Sequence, residues 1–143
     1  MKVRLSEKDK ILIKDSEDIY GIMKRILKRE NKFSRQQERF WLVGLDPKQS
    51  LKFVELVALG KFNMVNIEPV ELFHLAVLKQ CKSLILVHSH PDGNVTPSEK
   101  DIETTQYLYI AAKVLKIKLI DHLVISETTY YSFLKKGKMG VEG

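Results

Sequence analysis

The sequence has 143 residues, 44% hydrophobic and 29% charged, which suits one domain large enough to bury a core and excludes a disordered chain. No apolar run approaches the roughly 18 residues of a membrane span, and the N-terminus has no signal-peptide apolar region, so a cytoplasmic protein without a membrane partner is expected. The net charge of +6 is uneven, with 11 Lys and Arg against six Asp and Glu in residues 1–36, and 13 against 12 in residues 37–143.

The basic end therefore offers a face for an acidic or nucleic-acid partner, the plainer reading being lysines that solvate an exposed helix. Ile11-Leu12-Ile13 reads as a short edge strand, and Asp15 or Ser16 can cap the helix that follows. In that helix Ile19, Ile22, Met23, Ile26 and Leu27 recur at helical spacing. Arg25, Lys28 and Arg29 fall near its C-terminal end, where the helix dipole favours cations. The apolar segments Phe40–Leu45 and Leu51–Leu59 flank Asp46-Pro47-Lys48-Gln49-Ser50, the pattern of a β-hairpin whose first strand begins at Glu38. Gly60 marks a bend, and residues Lys61 to Ile67 read as a further strand or an irregular crossover.

Pro69 opens a second helix with Val70, Phe73, Ala76 and Val77 on its apolar side. His74 within it has no partner at a ligand spacing and reads as a packed or surface histidine. Cys81, the single cysteine, excludes an internal disulfide and is expected to pack as a small hydrophobe.

Ser83-Leu84-Ile85-Leu86-Val87 is too short for a helix and reads as a buried strand ending at His88-Ser89-His90-Pro91. Residues two apart on an extended chain share a face, so His88 and His90 can point the same way. Pro91 to Pro97, with Gly93 and Asn94 inside, is a turn. The next helix has two overlapping capping boxes, Thr96-Pro97-Ser98-Glu99 and Ser98-Glu99-Lys100-Asp101. The first places Pro97 well and is expected to cap a helix running from Pro97 to about Leu115. Its buried stripe would be Asp101, Thr105, Leu108, Ala112 and Leu115. Ser98 and Asp101 then face the strand end, and two imidazoles with one carboxylate make a ligand set that leaves zinc a position for water. The plain alternative is that Ser98 and Asp101 do no more than cap a helix. Ile117–Ile125 and Tyr130–Phe133 read as closing strands, with Asp121 and His122 either functional or a buried hydrogen-bonded pair. Lys135 to Gly143 reads as a loose tail.

His88-Ser89-His90-Pro91 with Ser98 and Asp101 resembles the JAMM (JAB/MPN) metalloprotease signature, and its RadC-like branch in particular. The supporting residues are Glu38-Arg39-Phe40, Leu45-Asp46, Ala58-Leu59-Gly60, Asp101-Ile102-Glu103-Thr104-Thr105 and Asp121-His122-Leu123-Val124-Ile125. The resemblance implies an α/β, cytidine-deaminase-like three-layer sandwich around a mixed sheet. It implies Zn²⁺ held by His88, His90 and Asp101, with Glu38 as acid–base and Ser98 supporting the oxyanion. It further implies a peptide or isopeptide substrate. Ser89 and Asp92 stand where RadC-like chains usually have Asn and Ser; Ser89 fits the wider JAMM pattern, while Asp92 adds a carboxylate beside the site and bears on substrate preference. The division expected is a basic segment 1–36 packed on a domain 37–138, with a tail 139–143.

A zinc deaminase is excluded, because one cysteine cannot supply the Pro-Cys-x-x-Cys element. A nucleic-acid role, which the DNA-repair label of RadC proteins suggests, lacks a reading helix or aromatic platform, and the segment before Glu38 is too short for the helix-hairpin-helix region of full-length RadC proteins. A non-catalytic interaction domain on the same fold is the third reading, against which stands the complete ligand set.

Overall fold

The structure, a computed structural model, describes residues 1–29, 36–60 and 67–139. The described elements, in chain order, are α1 (Ser16–Lys28), β1 (Glu38–Leu45), β2 (Leu51–Gly60), α2 (Pro69–Leu78), β3 (Ser83–Ser89), α3 (Glu99–Val114), β4 (Lys118–Ile125) and β5 (Tyr130–Ser132). The strands form one mixed sheet in the order β2-β1-β3-β4-β5. β1 runs antiparallel to both β2 and β3, β3 and β4 are parallel, and β5 returns antiparallel along β4. The parallel pair requires a crossover, and α3 supplies it.

The strands at the centre are buried on both faces, so each alternates between two cores. Trp41, Val43, Ile85, Val87, Leu123 and Ile125 pack with the Ile19, Ile22, Met23, Ile26 and Leu27 face of α1. Phe40, Leu42, Leu84 and Leu86 point the other way, against Leu72, Phe73 and Ala76 of α2 and Leu108 and Ala112 of α3. Helices on both faces of a mixed sheet give the expected α/β three-layer arrangement.

Local signals explain most element ends. Asp15 caps α1 by accepting the Glu17 backbone N–H at 2.9 Å. The β1–β2 turn is closed by Asp46, whose Oδ1 accepts the backbone N–H groups of Lys48 and Ser50, both at 2.9 Å. Gly44 is required by contact rather than by backbone angle, since a Cβ there would overlap the Phe53 ring.

Five expectations need correction. Thr96 does not cap α3; Ser98 does, its Oγ accepting the Asp101 backbone N–H while the Asp101 carboxylate accepts the Ser98 N–H, each at 3.0 Å. Both boxes cannot form at once, and the reciprocal Ser98–Asp101 pair satisfies two otherwise orphaned donors, while Pro97 is buried ahead of the helix. Ile11-Leu12-Ile13 contributes an isolated bridge from Leu12 to Ser50 instead of a strand. On α2 the buried residues are Leu72, Phe73 and Ala76, whereas Val70 and Val77 are exposed. On α3 the stripe holds at Thr105, Leu108 and Ala112 and ends before Leu115, which is exposed beyond the last turn. Lys135 to Met139 is an ordered turn: Lys136 and Lys138 donate backbone hydrogen bonds to Ser132 and Phe133, and the Lys135 ammonium lies 3.1 Å from Asp15. The question of a strand or crossover at residues 61–66, and the tail at 140–143, lie outside the described residues. His74 is an exposed surface histidine, and Cys81 is buried.

Candidate functional site

The site is assembled by sheet register. Phe40 of β1 sits directly opposite His88 of β3. Glu38 lies two residues before Phe40 and His90 two residues after His88, so on this antiparallel pair both share that face. One ligand atom each from Glu38, His88 and His90 therefore converges, all within 4.8 Å of one another. His88 is buried, while Glu38 and His90 are half-buried at the mouth of a cleft of about 590 Å³ that Gln36, Gly60, Pro91 and Asp92 also line.

The two imidazoles are held differently. The His90 Nδ1 lies 2.6 Å from the Asn94 carbonyl oxygen. A carbonyl can only accept, so Nδ1 is the donor, which fixes the ring and leaves Nε2 as the nitrogen that can face a ligand. Burial above all, then the nearby His90, lowers the pKa of His88 to about 4, against an opposing pull from Asp101. His88 is thus uncharged at neutral pH, the form a cation needs. The His88 and His90 rings meet edge to face, with centroids 4.4 Å apart.

The residues between and beside these donors have structural tasks. Ser89 points to the other face of β3, where its Oγ accepts the Arg39 backbone N–H at 3.0 Å and ties the start of β1 to the end of β3. Asp92 accepts the Asn94 N–H at 3.0 Å and so shapes the turn that presents the Asn94 carbonyl to His90. Asp101 occupies the first turn of α3, and its negative charge bears on His88, but its carboxylate is not one of the atoms in the 4.8 Å cluster. Ser98 is exposed at the helix start, with its oxygen accepting from Asp101, so its hydroxyl proton can still be donated.

Asp121 and His122 are both buried and hydrogen-bonded. The Asp121 carboxylate accepts from the Ser132 hydroxyl at 2.7 Å, the Leu134 N–H at 3.0 Å and the His122 N–H at 2.7 Å. Burial raises its pKa in spite of those bonds. The His122 Nδ1 lies 2.8 Å from the Thr105 hydroxyl. Sequence reasoning missed this contact, as it missed the Asn94 carbonyl. Thr105 carries a helical-stripe signal and His122 a strand signal, but nothing in either segment says that they meet.

A family model for the RadC-like JAB domain matches residues 13–139. The chain belongs to this family. Similar proteins bear the name UPF0758: one from Syntrophomonas wolfei is 35% identical over 88% of this chain and 53% of its own length. One from Halalkalibacterium halodurans is 33% identical over 94% of this chain and 56% of its own length. One from Desulforudis audaxviator is 39% identical over 71% of this chain and 44% of its own. The RadC-like chain thus spans about half the length of the relatives it matches.

The donor set fits a divalent ion. Two imidazoles and a carboxylate, half-sheltered at a cleft, are borderline nitrogen and hard oxygen donors of the kind that first-row metals take. The His/His/Glu cluster of this RadC-like domain could hold a metal. Among the described residues no helix is long and apolar enough to cross a membrane.

Proposed function

We propose that this RadC-like domain is a zinc-dependent hydrolase that cleaves a peptide or isopeptide bond. The observation that carries the reading is the convergence of Glu38, His88 and His90 at the cleft mouth, with Asp101 in the first turn of α3 near enough for its charge to act on His88. His88, His90 and Asp101 would hold the ion. Zinc bound there would supply Lewis acidity and lower the pKa of a water toward about 7. Glu38 takes the proton of the attacking water and returns it to the leaving amine. The Ser98 hydroxyl donates to the carbonyl oxygen as it becomes anionic. Asp92 adds negative charge at the cleft, which favours a cationic residue near the scissile bond.

The roles separate experimentally. Protein purified without chelators should carry about one zinc per chain. Glu38→Gln should keep that zinc and lose hydrolysis by about 100-fold or more, whereas His88→Ala should lose the metal. Metal analysis showing equal zinc loss in both variants would make Glu38 a ligand rather than the acid–base group. A peptide-library cleavage screen supplies the activity readout.

A further inference from the structure

His122 is fully buried on β4, stacked on Phe133 with ring centroids 4.5 Å apart, and its ring centroid is 5.8 Å from that of His88. Its Nε2 has no hydrogen-bond partner among the described residues. An unsatisfied polar atom in a core costs stability, so packing alone would favour an apolar ring here. The other ring nitrogen shows what the histidine does. The Thr105 hydroxyl donates to the Asp101 carbonyl at 2.8 Å and lies 2.8 Å from the His122 Nδ1. A hydroxyl has one proton, so both contacts are hydrogen bonds only if His122 carries its proton on Nδ1 and donates to Thr105. The result is a directed chain: the His122 N–H donates to Thr105, and the Thr105 O–H donates to the backbone of Asp101.

We propose that His122 is a positioning residue that, through Thr105, pins the first turn of α3 and so the Asp101 carboxylate against the strand end carrying His88. The inference rests on the reading of Asp101 as a zinc ligand. The cap bonds of Asp101 to Ser98 are internal to α3 and its start, and they would travel with the helix if it shifted. The Thr105–His122 bond joins that turn to the sheet. β4 pairs in parallel with β3, placing His122 opposite Leu86 and Val124 opposite His88, so the anchor belongs to the sheet that carries the imidazoles.

The test is zinc affinity of the full chain, measured by competition with a chromogenic chelator well below the melting temperature. Thr105→Val keeps the shape and removes the hydroxyl; Thr105→Ser keeps the hydroxyl. Leu72→Ala, in the α2 core away from the site, provides a destabilised control. The expected result is zinc binding about tenfold or more weaker in Thr105→Val, the range for lost outer hydrogen bonds to metal ligands. Thr105→Ser should restore affinity to within about twofold, and Leu72→Ala should bind as wild type. His122→Phe, which keeps the ring stacked on Phe133, should weaken zinc like Thr105→Val. Wild-type affinity in both Thr105→Val and His122→Phe, with zinc bound to wild type, would overturn the positioning role alone. A wild-type chain that takes no zinc would overturn this role and the proposed function together.

Discussion

Asp9 shows how single residues in this chain are set by partners distant in sequence. Its side chain is fully buried, and it receives the guanidinium groups of Arg25 at 2.8 Å and Arg29 at 3.0 Å, with the Ser6 backbone N–H at 3.0 Å. Burial alone would raise its pKa, but the hydrogen bonds from Arg25, Ser6 and Arg29 outweigh it and hold the carboxyl at about 2, below its ordinary 3.8. A depressed folded-state pKa contributes stability that is fully present above the unfolded value and is lost as pH falls through the folded one. Both arginines are about half exposed, so the contribution is about 1–2 kcal/mol after solvent screening. Urea denaturation should therefore show Asp9→Asn less stable than wild type by that amount at pH 7. The gap should narrow below pH 4 and close near pH 2; a gap that does not change with pH would contradict the assignment. The same pairs change the meaning of the basic N-terminal end. Two of its cations neutralise a buried acid, which leaves fewer for phosphate contacts, so any DNA affinity should show only a shallow dependence on salt.

At the scale of elements, the β1–β2 hairpin carries a packing constraint. The Phe53 ring lies over Gly44, where a methyl group would overlap it, and Phe53 is nearly fully buried. Gly44→Ala should cost about 1–3 kcal/mol, the usual range for overpacking, measured as a lower denaturation midpoint with an unchanged slope. No loss would mean that the ring moves aside freely. Elements also show where the sequence is legible. The two-residue spacing of His88 and His90 survives because side chains two apart on a strand share a face. The buried face of α2 is not legible because Pro-Val-Glu-Leu-Phe-His-Leu-Ala-Val-Leu is apolar almost all round, and a helical period cannot choose a face when every face qualifies. At α3 two capping boxes overlapped, and reciprocity rather than proline placement decided between them. The shared face of His88 and His90 is legible in the strand period and Glu38 in the family resemblance, whereas Asp101, expected as the third ligand, lies outside the cluster of donor atoms. The site was not legible at Asn94, Thr105 and His122, whose roles depend on turns and layers meeting in space.

In the whole molecule, the sheet order decides what can be a site. β1 and β3 are adjacent and antiparallel, so the start of one and the end of the other lie at the same end of the strands, and α3 begins there on its crossover to β4. Three segments far apart in sequence thereby deliver Glu38, the two histidines and Asp101 to one corner. The cores on the two faces hold that corner from behind, through Phe40 and Leu86 on one side and Trp41 and Val87 on the other. The sulfur of Cys81 is held away from solvent and donates to the Leu45 carbonyl at 3.2 Å. X-ray absorption at the zinc edge, on the full chain loaded with one equivalent of zinc, reads the donor atoms around the ion. Two imidazole nitrogens and oxygen donors at about 2.0–2.1 Å, lost in His88→Ala, are expected; a sulfur shell at about 2.3 Å, or a spectrum unchanged by His88→Ala, would rule out a centre built on these histidines.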